Sequence, residues 1–330
     1  MTAAANEAPY PTFRRILTVL GGEAADAARD AATLAAARRH AERVGATVRL
    51  VSVVEPPRDL AAIASLAGIS AADAESRLLE SRRAALSESA DGEEVVVRAG
   101  KTFLEVIQEA LDWKADLVIK AAERAPGLIG GLFASTDQHL LRKCPCPVWL
   151  AGSERDPATE GRLRVVAAAV DVEVAGDREA VARMAGLNAR IVETAAAVAA
   201  VDGAALHLIH AWEAPAEGLV RRFASEDLDV VTYTEGVERA HRRSLNALKR
   251  TVKGYPGVGR ITNDLLRGPA RRVVPAHAYE IGADLLVMGT IARTGVPGFI
   301  IGNTAEDILN SVRCDVLTVK PPGYRSPVAS

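Results

Sequence analysis

Cysteine is scarce: Cys144, Cys146 and Cys314 are all the chain has in 330 residues. That excludes a disulfide framework and suits a reducing compartment. Aromatics are also few, at 4% against a hydrophobic total of 49%. Large ring clusters cannot organise the core, so alanine-rich helices and strands must pack closely. Charge of one sign is missing too. Forty Lys and Arg stand against 42 Asp and Glu, for a net charge of -2. No basic footprint for nucleic acid exists. No uninterrupted apolar run reaches the roughly 18–20 residues that cross a bilayer. The first ten residues, MTAAANEAPY, lack the basic segment and apolar run of an export signal. These absences predict a soluble, cytoplasmic chain with neither nucleic acid nor membrane as a partner. A Walker lysine, an HExxH run and a Ser-His-Asp ordering are absent as well. The chain therefore reads as a non-enzyme, with no catalytic residues and no metal required by its sequence.

The length suits about two domains. The polar stretch 151–161, AGSERDPATEG, reads as a linker between them. It sets domains at 11–151 and 162–322, with 152–161 between. Each side shows strands alternating with helical patterns. In the first, the strands are expected at Ile16–Leu20, Val48–Val54, Glu94–Arg98, Leu117–Ala121 and Val148–Ala151. In the second, a β-rich run at 163–170 precedes a helix whose stripe is Val181, Met184, Leu187, Asn188, Ile191, Val192 and Ala195. Further strands are expected at 205–212, 260–266, 285–288 and 315–320, with helices at 236–253, 271–282 and 303–313. Such alternation predicts an α/β fold: two tandem, open-twisted, five-stranded parallel sheets with helices on both faces. The two halves align without gaps near their ends. Cys146 stands opposite Cys314, Ala134 opposite Gly302, and Ala121 opposite Gly289 at one constant interval, which supports duplication.

Ligands of such sheets bind beyond the carboxyl ends of the strands. There the second half reads VMGTIARTGVPGFIIGNTAEDIL from Val287. Gly289 ends a strand, and Gly302-Asn303-Thr304 opens a helix. A helix N-terminus reached through glycines suits a phosphate. Arg293 can add a cation and Thr304 a hydroxyl. The competing account is structural. Asn303 with Glu306 resembles a capping box, Glu306 and Asp307 would oppose an anion, and Gly289 and Gly295 can be turn residues.

The spacing Gly289-x-x-Ala292, nine residues, then Gly302-Asn303-Thr304 resembles the signature of the universal stress protein family. Val166–Val170 followed by Asp171 resembles the family's first strand and its terminal aspartate. Leu206–Trp212 and Cys314–Pro321 are similar to its second and closing strands, and Ser135–Trp149 extends the likeness into the first half. The likeness covers nearly the whole chain, in the family's tandem two-domain form. It implies a Rossmann-like, adenine-nucleotide-binding fold and a stress-response factor holding ATP or AMP. Asp171 would contact adenine. Gly289, Ala292, Arg293, Gly302, Asn303 and Thr304 would surround ribose and phosphates. Ala292 stands for the family's second glycine, and Asn303 for its usual serine or threonine. The first half departs further. Gly21-Gly22 replaces the aspartate, Ala121, Arg124 and Ala134 replace the three glycines, and only a Ser135–Gln138 capping box survives. That half is expected to bind no nucleotide and to pair with the second half as an intramolecular pseudo-dimer. A homodimer of the chain and an unknown protein partner stay open.

Other features have plainer accounts. Cys144-Pro145-Cys146 is poor zinc spacing and reads as packing. His207 and His210 face opposite sides of a strand and cannot chelate together; His210 reads as a core or rim residue that can alternatively reach a ligand. His139 and His277 sit in helical patterns with no nucleophile beside them. Leu60–Ile69, LAAIASLAGI, is either a short core helix or the lining of an apolar cavity. The segment 213–235 is either a lid or a surface loop. The alternative to nucleotide binding is an adaptor that holds an apolar, lipid-like small molecule.

Overall fold

A computed structural model describes residues 13–23, 26–123, 133–152, 162–172, 178–215, 217, 222, 230–290 and 302–328. The chain divides into two compact units, one within Thr12–Gly161 and the other within Arg162–Val296 and Ile300–Gly323. Residues 153–161, where a linker is expected, lie outside the described residues, as do Arg124, Ala292, Arg293 and Gly295.

In the first unit the order is β1 (Arg15–Val19), α1 (Ala27–Val44), β2 (Thr47–Val54), α2 (Leu60–Leu66), α3 (Ala71–Ser89), β3 (Glu94–Ala99), α4 (Thr102–Asp112), β4 (Leu117–Ala121), α5 (Ser135–Lys143) and β5 (Val148–Ala151). The second unit contains β6 (Val165–Ala169), α6 (Arg178–Asp202), β7 (Ala205–Trp212), α7 (Val230–Val252), β8 (Ile261–Arg267), α8 (Ala270–Glu280), β9 (Leu285–Gly289), α9 (Asn303–Ser311) and β10 (Asp315–Val319). The strands run β3-β2-β1-β4-β5 in one and β8-β7-β6-β9-β10 in the other. All of these pairings are parallel. The expected α/β architecture is what the chain adopts. From β1 the chain steps outward to β3 and then reverses to β4. Right-handed crossovers therefore place α1 and α3 on one face and α4 and α5 on the other. By the same rule α6 and α7 lie on one face of the second sheet, and α8 and α9 on the opposite face.

The strand segments explain themselves. Val118, Ile119 and Leu117 in β4, and Leu285–Val287 in β9, are fully buried, as central parallel strands covered on both faces require. Their helices carry one-sided stripes. Leu187, Asn188, Ile191, Val192 and Ala195 of α6 are buried while Arg183 and Arg190 are exposed, as the sequence stripe predicts. Val181–Asp202 is long and apolar enough to cross a membrane by length and composition alone; Ala195–Ala199 explain that hydropathy by being buried on every side. Helix α1 stops at Gly45, whose φ of 68° gives the left-handed turn that only glycine adopts without strain.

The duplication reaches into the hydrogen bonding. The Asp116 carboxylate accepts from the backbone N–H groups of Arg14 and Arg15 at 2.8 and 3.0 Å. Asp284 accepts from those of Arg164 and Val165 at 2.6 and 2.9 Å. In both units the turn before the fourth strand thus anchors the start of the first.

Two expectations change. Helix α7 begins at Val230, earlier than expected, and Gly236 lies inside it. Residues 216, 218–221 and 223–229 of the segment assigned to a lid or loop lie outside the described residues. Leu60–Ile69 does form a helix, α2, but not a core one. Ala64 is its one buried residue, and Ile63 and Leu66 are 48% and 91% exposed. Leu60 and Ile69 are half-buried, while the remaining apolar side chains of the segment are exposed.

Candidate functional site

Strand β6 is central, with β7 on one side and β9 on the other, and the chain leaves it in opposite directions through the sheet. That is a topological switch point. Register pairs Ala169 with Met288, so Asp171 and Thr290, two residues further on, emerge beside each other at the carboxyl edge. Asp171 is held by its backbone. Its N–H donates to Asn188 Oδ1 at 3.0 Å, and Asn188 Nδ2 donates to its carbonyl at 2.8 Å. Asn188, from α6, is only 3% exposed. The sequence stripe contains it, but reads it as one more packing residue.

Gly289 has a packing cause. A Cβ there would lie 2.8 Å from Leu187 Cδ2 and 3.2 Å from Leu187 Cγ, so glycine is what lets α6 approach β9. Left-handed backbone is not the reason, because neither Gly289 nor Gly302 has positive φ. Gly302 is the N-cap of α9, with φ -62° and ψ 141°, and the helix has no side-chain cap hydrogen bond. The expected capping box is therefore corrected. Asn303 is already the first helical residue, one position too late to cap, and Glu306 N–H simply donates to the Gly302 carbonyl at 2.9 Å. Asn303 and Thr304 are exposed and Gly302 is half-buried. An uncapped first turn presents its N–H groups outward, where an anion is favoured.

Lys320, which the motif reading missed, closes this edge. It follows β10, is 3% exposed, and its Nζ donates to Thr290 Oγ1 at 2.9 Å. Its only signal in the sequence is a lysine ending an apolar strand. The structure thus gathers Asp171, Gly289, Thr290 and Lys320 at adjoining strand ends, with Gly302 joined to Thr290 by a backbone N–H to carbonyl contact of 3.4 Å. The geometry of Ala292 and Arg293 lies outside the described residues.

Deeper on β7, His210 is 2% exposed. Its Nδ1 lies 3.1 Å from the Val170 carbonyl and its Nε2 2.9 Å from His241 Nδ1. His210 is thus a core residue whose ring supports the backbone just before Asp171. Its neighbour His207 faces the other side, as expected of residues three apart on a strand.

The same positions in the first unit are filled by the protein itself. The N–H groups of Gly21 and Gly22 donate to the two oxygens of Asp30 at 2.9 and 2.7 Å. Arg82 of α3 donates to the Gly21 carbonyl, to Ser52 Oγ at 3.1 Å and to Glu23 at 2.7 Å. A Cβ on Gly22 would lie 2.5 Å from Arg82 Cδ, so the guanidinium arm occupies the crevice. At the helix start, Asp137 is completely buried and ion-paired with Lys120 at 3.0 Å. Its other oxygen accepts Glu123 N–H at 2.7 Å, and Lys120 also reaches Glu123. Burial pushes the Asp137 carboxyl upward, against the pull of Lys120. The Ser135–Gln138 capping box is corrected too: Ala134 is the N-cap, no side chain caps α5, and Gln138 Nε2 donates back to the Phe133 carbonyl at 3.0 Å. In the second unit Met288 and Ala305 stand at the positions of Lys120 and Asp137, so that internal ion pair has no equivalent there.

Cys144 and Cys146 are packing residues. Cys144 and Cys146 are buried with their sulfurs 3.7 Å apart. The Cys144 contact, and then burial, push the Cys146 thiol up and keep it protonated.

The universal stress protein family model matches residues 12–152 and 187–320. Universal stress protein E of Escherichia coli strain K12 is 31% identical over 234 residues, 71% of this chain and 69% of that protein. A universal stress protein E homolog of Haemophilus influenzae is 29% identical over 207 residues, 62% of each chain. Among solved structures, a functionally unknown protein of Pseudomonas aeruginosa PAO1 matches with a TM-score of 0.62 and 25% identity, covering 94% of this chain and 93% of that one. A universal stress protein of Archaeoglobus fulgidus, at 17% identity and TM-score 0.54 over 93% of this chain and 98% of its own, shares the fold.

Proposed function

The chain belongs to the universal stress protein family in tandem form, and on that premise we propose that it is a cytoplasmic stress-response factor whose second unit binds ATP or AMP. Asp171 receives the adenine. Gly289, Ala292, Arg293, Gly302, Asn303 and Thr304 surround ribose and phosphates, and Lys320 supplies a cation behind them. Binding, not turnover, is the proposed output.

The observation that carries this reading is the contrast between the units. At the same edge, the first unit spends its glycine N–H groups on Asp30, inserts Arg82, and buries Asp137 at its helix start. Both helix starts lack a side-chain cap; the second unit differs in having alanine where Asp137 would sit. Anion binding at a helix start is favoured by N–H groups turned outward and by the absence of a buried carboxylate like Asp137, with Glu306 in the first turn of α9 acting against it. A fluorescent ATP analogue titrated into the full chain tests this. Binding should be lost in Gly302→Glu, which places a carboxylate at the helix start, and retained in Asp137→Asn. Equal binding by Gly302→Glu removes the site assignment.

A second reading, an adaptor for an apolar partner, draws on Ile63, Leu66 and Leu78, which are 48%, 91% and 38% exposed. It places the partner on the surface of α2 and α3.

A further inference from the structure

The nucleotide reading uses the carboxyl edge of the second sheet and leaves a cluster on its face unexplained. His207 is the third residue of β7. It pairs with Thr262 in register, so the pleat turns His207, Thr262 and Asp264 to one side. Helix α8 brings His277 onto the same two groups. His207 Nδ1 lies 2.7 Å from Asp264 Oδ2, and His277 Nε2 lies 3.1 Å from that same oxygen. One ligand atom from each of the three residues falls within 4.8 Å of the others. We propose that His207, Asp264 and His277 form a binding site for one divalent first-row metal ion of the zinc class, independent of nucleotide.

The hydrogen-bonding pattern argues for a cation at this point. His277 Nδ1 lies 3.3 Å from Glu280 Oε2, three residues on in the same helix. A carboxylate can only accept, so Nδ1 carries a proton, and Nε2 is the ring atom left to face Asp264. Nε2 is buried and makes no hydrogen bond. His207 Nδ1 and His277 Nε2 thus converge on the one oxygen Asp264 Oδ2, an arrangement that a shared cation would draw together. Glu280 is also what a metal-bound imidazole requires: an outer carboxylate that fixes its tautomer and raises its basicity.

The donor set selects the ion. Two imidazoles and one carboxylate suit zinc and its neighbours, and are poor for calcium or magnesium, which prefer all-oxygen shells. Zinc–nitrogen bonds of about 2.0–2.1 Å bring tetrahedral ligands to roughly 3.3–3.5 Å apart. The two imidazole nitrogens, no more than 4.8 Å apart, therefore close by up to roughly 1.5 Å, while each opens slightly from Asp264, movements that side-chain torsions supply. The three side chains are 13–19% exposed, so an ion can enter and a water can hold the fourth position. Helix α8 and β7 are both fixed by the fold, whereas the intervals 207, 264 and 277 have no short motif.

The experiment uses the full chain, stripped with a chelator and titrated with Zn2+ against a chromophoric competitor. One ion per chain is expected. Affinity should fall at least tenfold in His277→Gln and in Asp264→Asn, and about tenfold in Glu280→Gln, which touches no metal. Wild-type protein loaded with Co2+ gives a readout that needs no variant. Visible d–d bands without a near-ultraviolet thiolate band fit the nitrogen–oxygen triad. A thiolate band assigns the ion to Cys144, Cys146 or Cys314 and overturns the proposal. So does the absence of stoichiometric uptake, which leaves a hydrogen-bonded triad only, or uptake unchanged in folded His277→Gln.

Discussion

Asn188 grips the backbone of Asp171 from both sides, accepting its N–H at 3.0 Å and donating to its carbonyl at 2.8 Å. The pair fixes where β6 ends and which way the following residue points. Replacing Asn188 with alanine removes both partners from a site that is nearly closed to water. The expected cost is about 1–3 kcal/mol, measured by urea unfolding. Nucleotide affinity should fall with it, because the proposed adenine contact loses its anchor. Unchanged stability would show that water replaces the amide.

Gly289 separates packing from binding. Its missing Cβ makes room for Leu187, with 2.8 Å to Cδ2. Gly289→Ala is expected to destabilise by about 1–3 kcal/mol through overpacking. The pair Gly289→Ala and Leu187→Ala should recover part of that loss in a double-mutant cycle. Strict additivity would mean that the glycine serves something other than the approach of α6.

Burial and Lys120 act in opposite directions on Asp137. Burial raises the Asp137 carboxyl above its ordinary value, with Lys120 opposing. A raised acid binds its proton more tightly when folded. Its contribution is therefore complete below the unfolded value near 3.8 and is lost as pH rises through the folded value. Asp137→Asn should flatten that part of the stability–pH curve. Lys120→Met leaves the carboxylate buried without its cation and is expected to cost about 3–5 kcal/mol near pH 7.

Glu93 behaves the other way. The Arg38 hydrogen bond holds its carboxyl down to about 2, helped by the Asp91 N–H and opposed by burial. Its contribution is present above 4.5 and is lost as pH falls toward 2. With Arg38 one-third exposed, solvent screening reduces the effect to roughly 1–2 kcal/mol. Acid unfolding of Glu93→Gln, compared with wild type between these pH values, should show a correspondingly shallower loss.

Leu66 is 91% exposed. Leu66→Ser should change stability by no more than about 0.5 kcal/mol. A core helix would lose several times that, so the same variant tests the outward placement of α2.

The sheet was legible because each central strand is a short apolar run bounded by turn residues. Leu117–Ala121 and Val148–Ala151 fall where the pattern puts them. Helix α7 was legible only in part. Val230, Val231 and Thr232 are β-branched and Gly236 is a poor helix former, yet tertiary packing overrides those propensities. The caps were misread by one position, because Asn303 is a favoured cap residue while Gly302 takes the non-helical dihedrals. Asp171 and the glycines stood in a recognisable spacing. Lys320, Arg82 and the His207–Asp264–His277 group did not, since each depends on partners brought together by crossovers of many residues.

Calorimetric titration of the full chain with ATP, repeated with AMP, tests the asymmetry between the units most directly. The account predicts one nucleotide per chain, with the heat abolished by Gly302→Glu and unaffected by substitutions at Arg82. Two nucleotides per chain, or none at millimolar ligand with the protein folded, would contradict it.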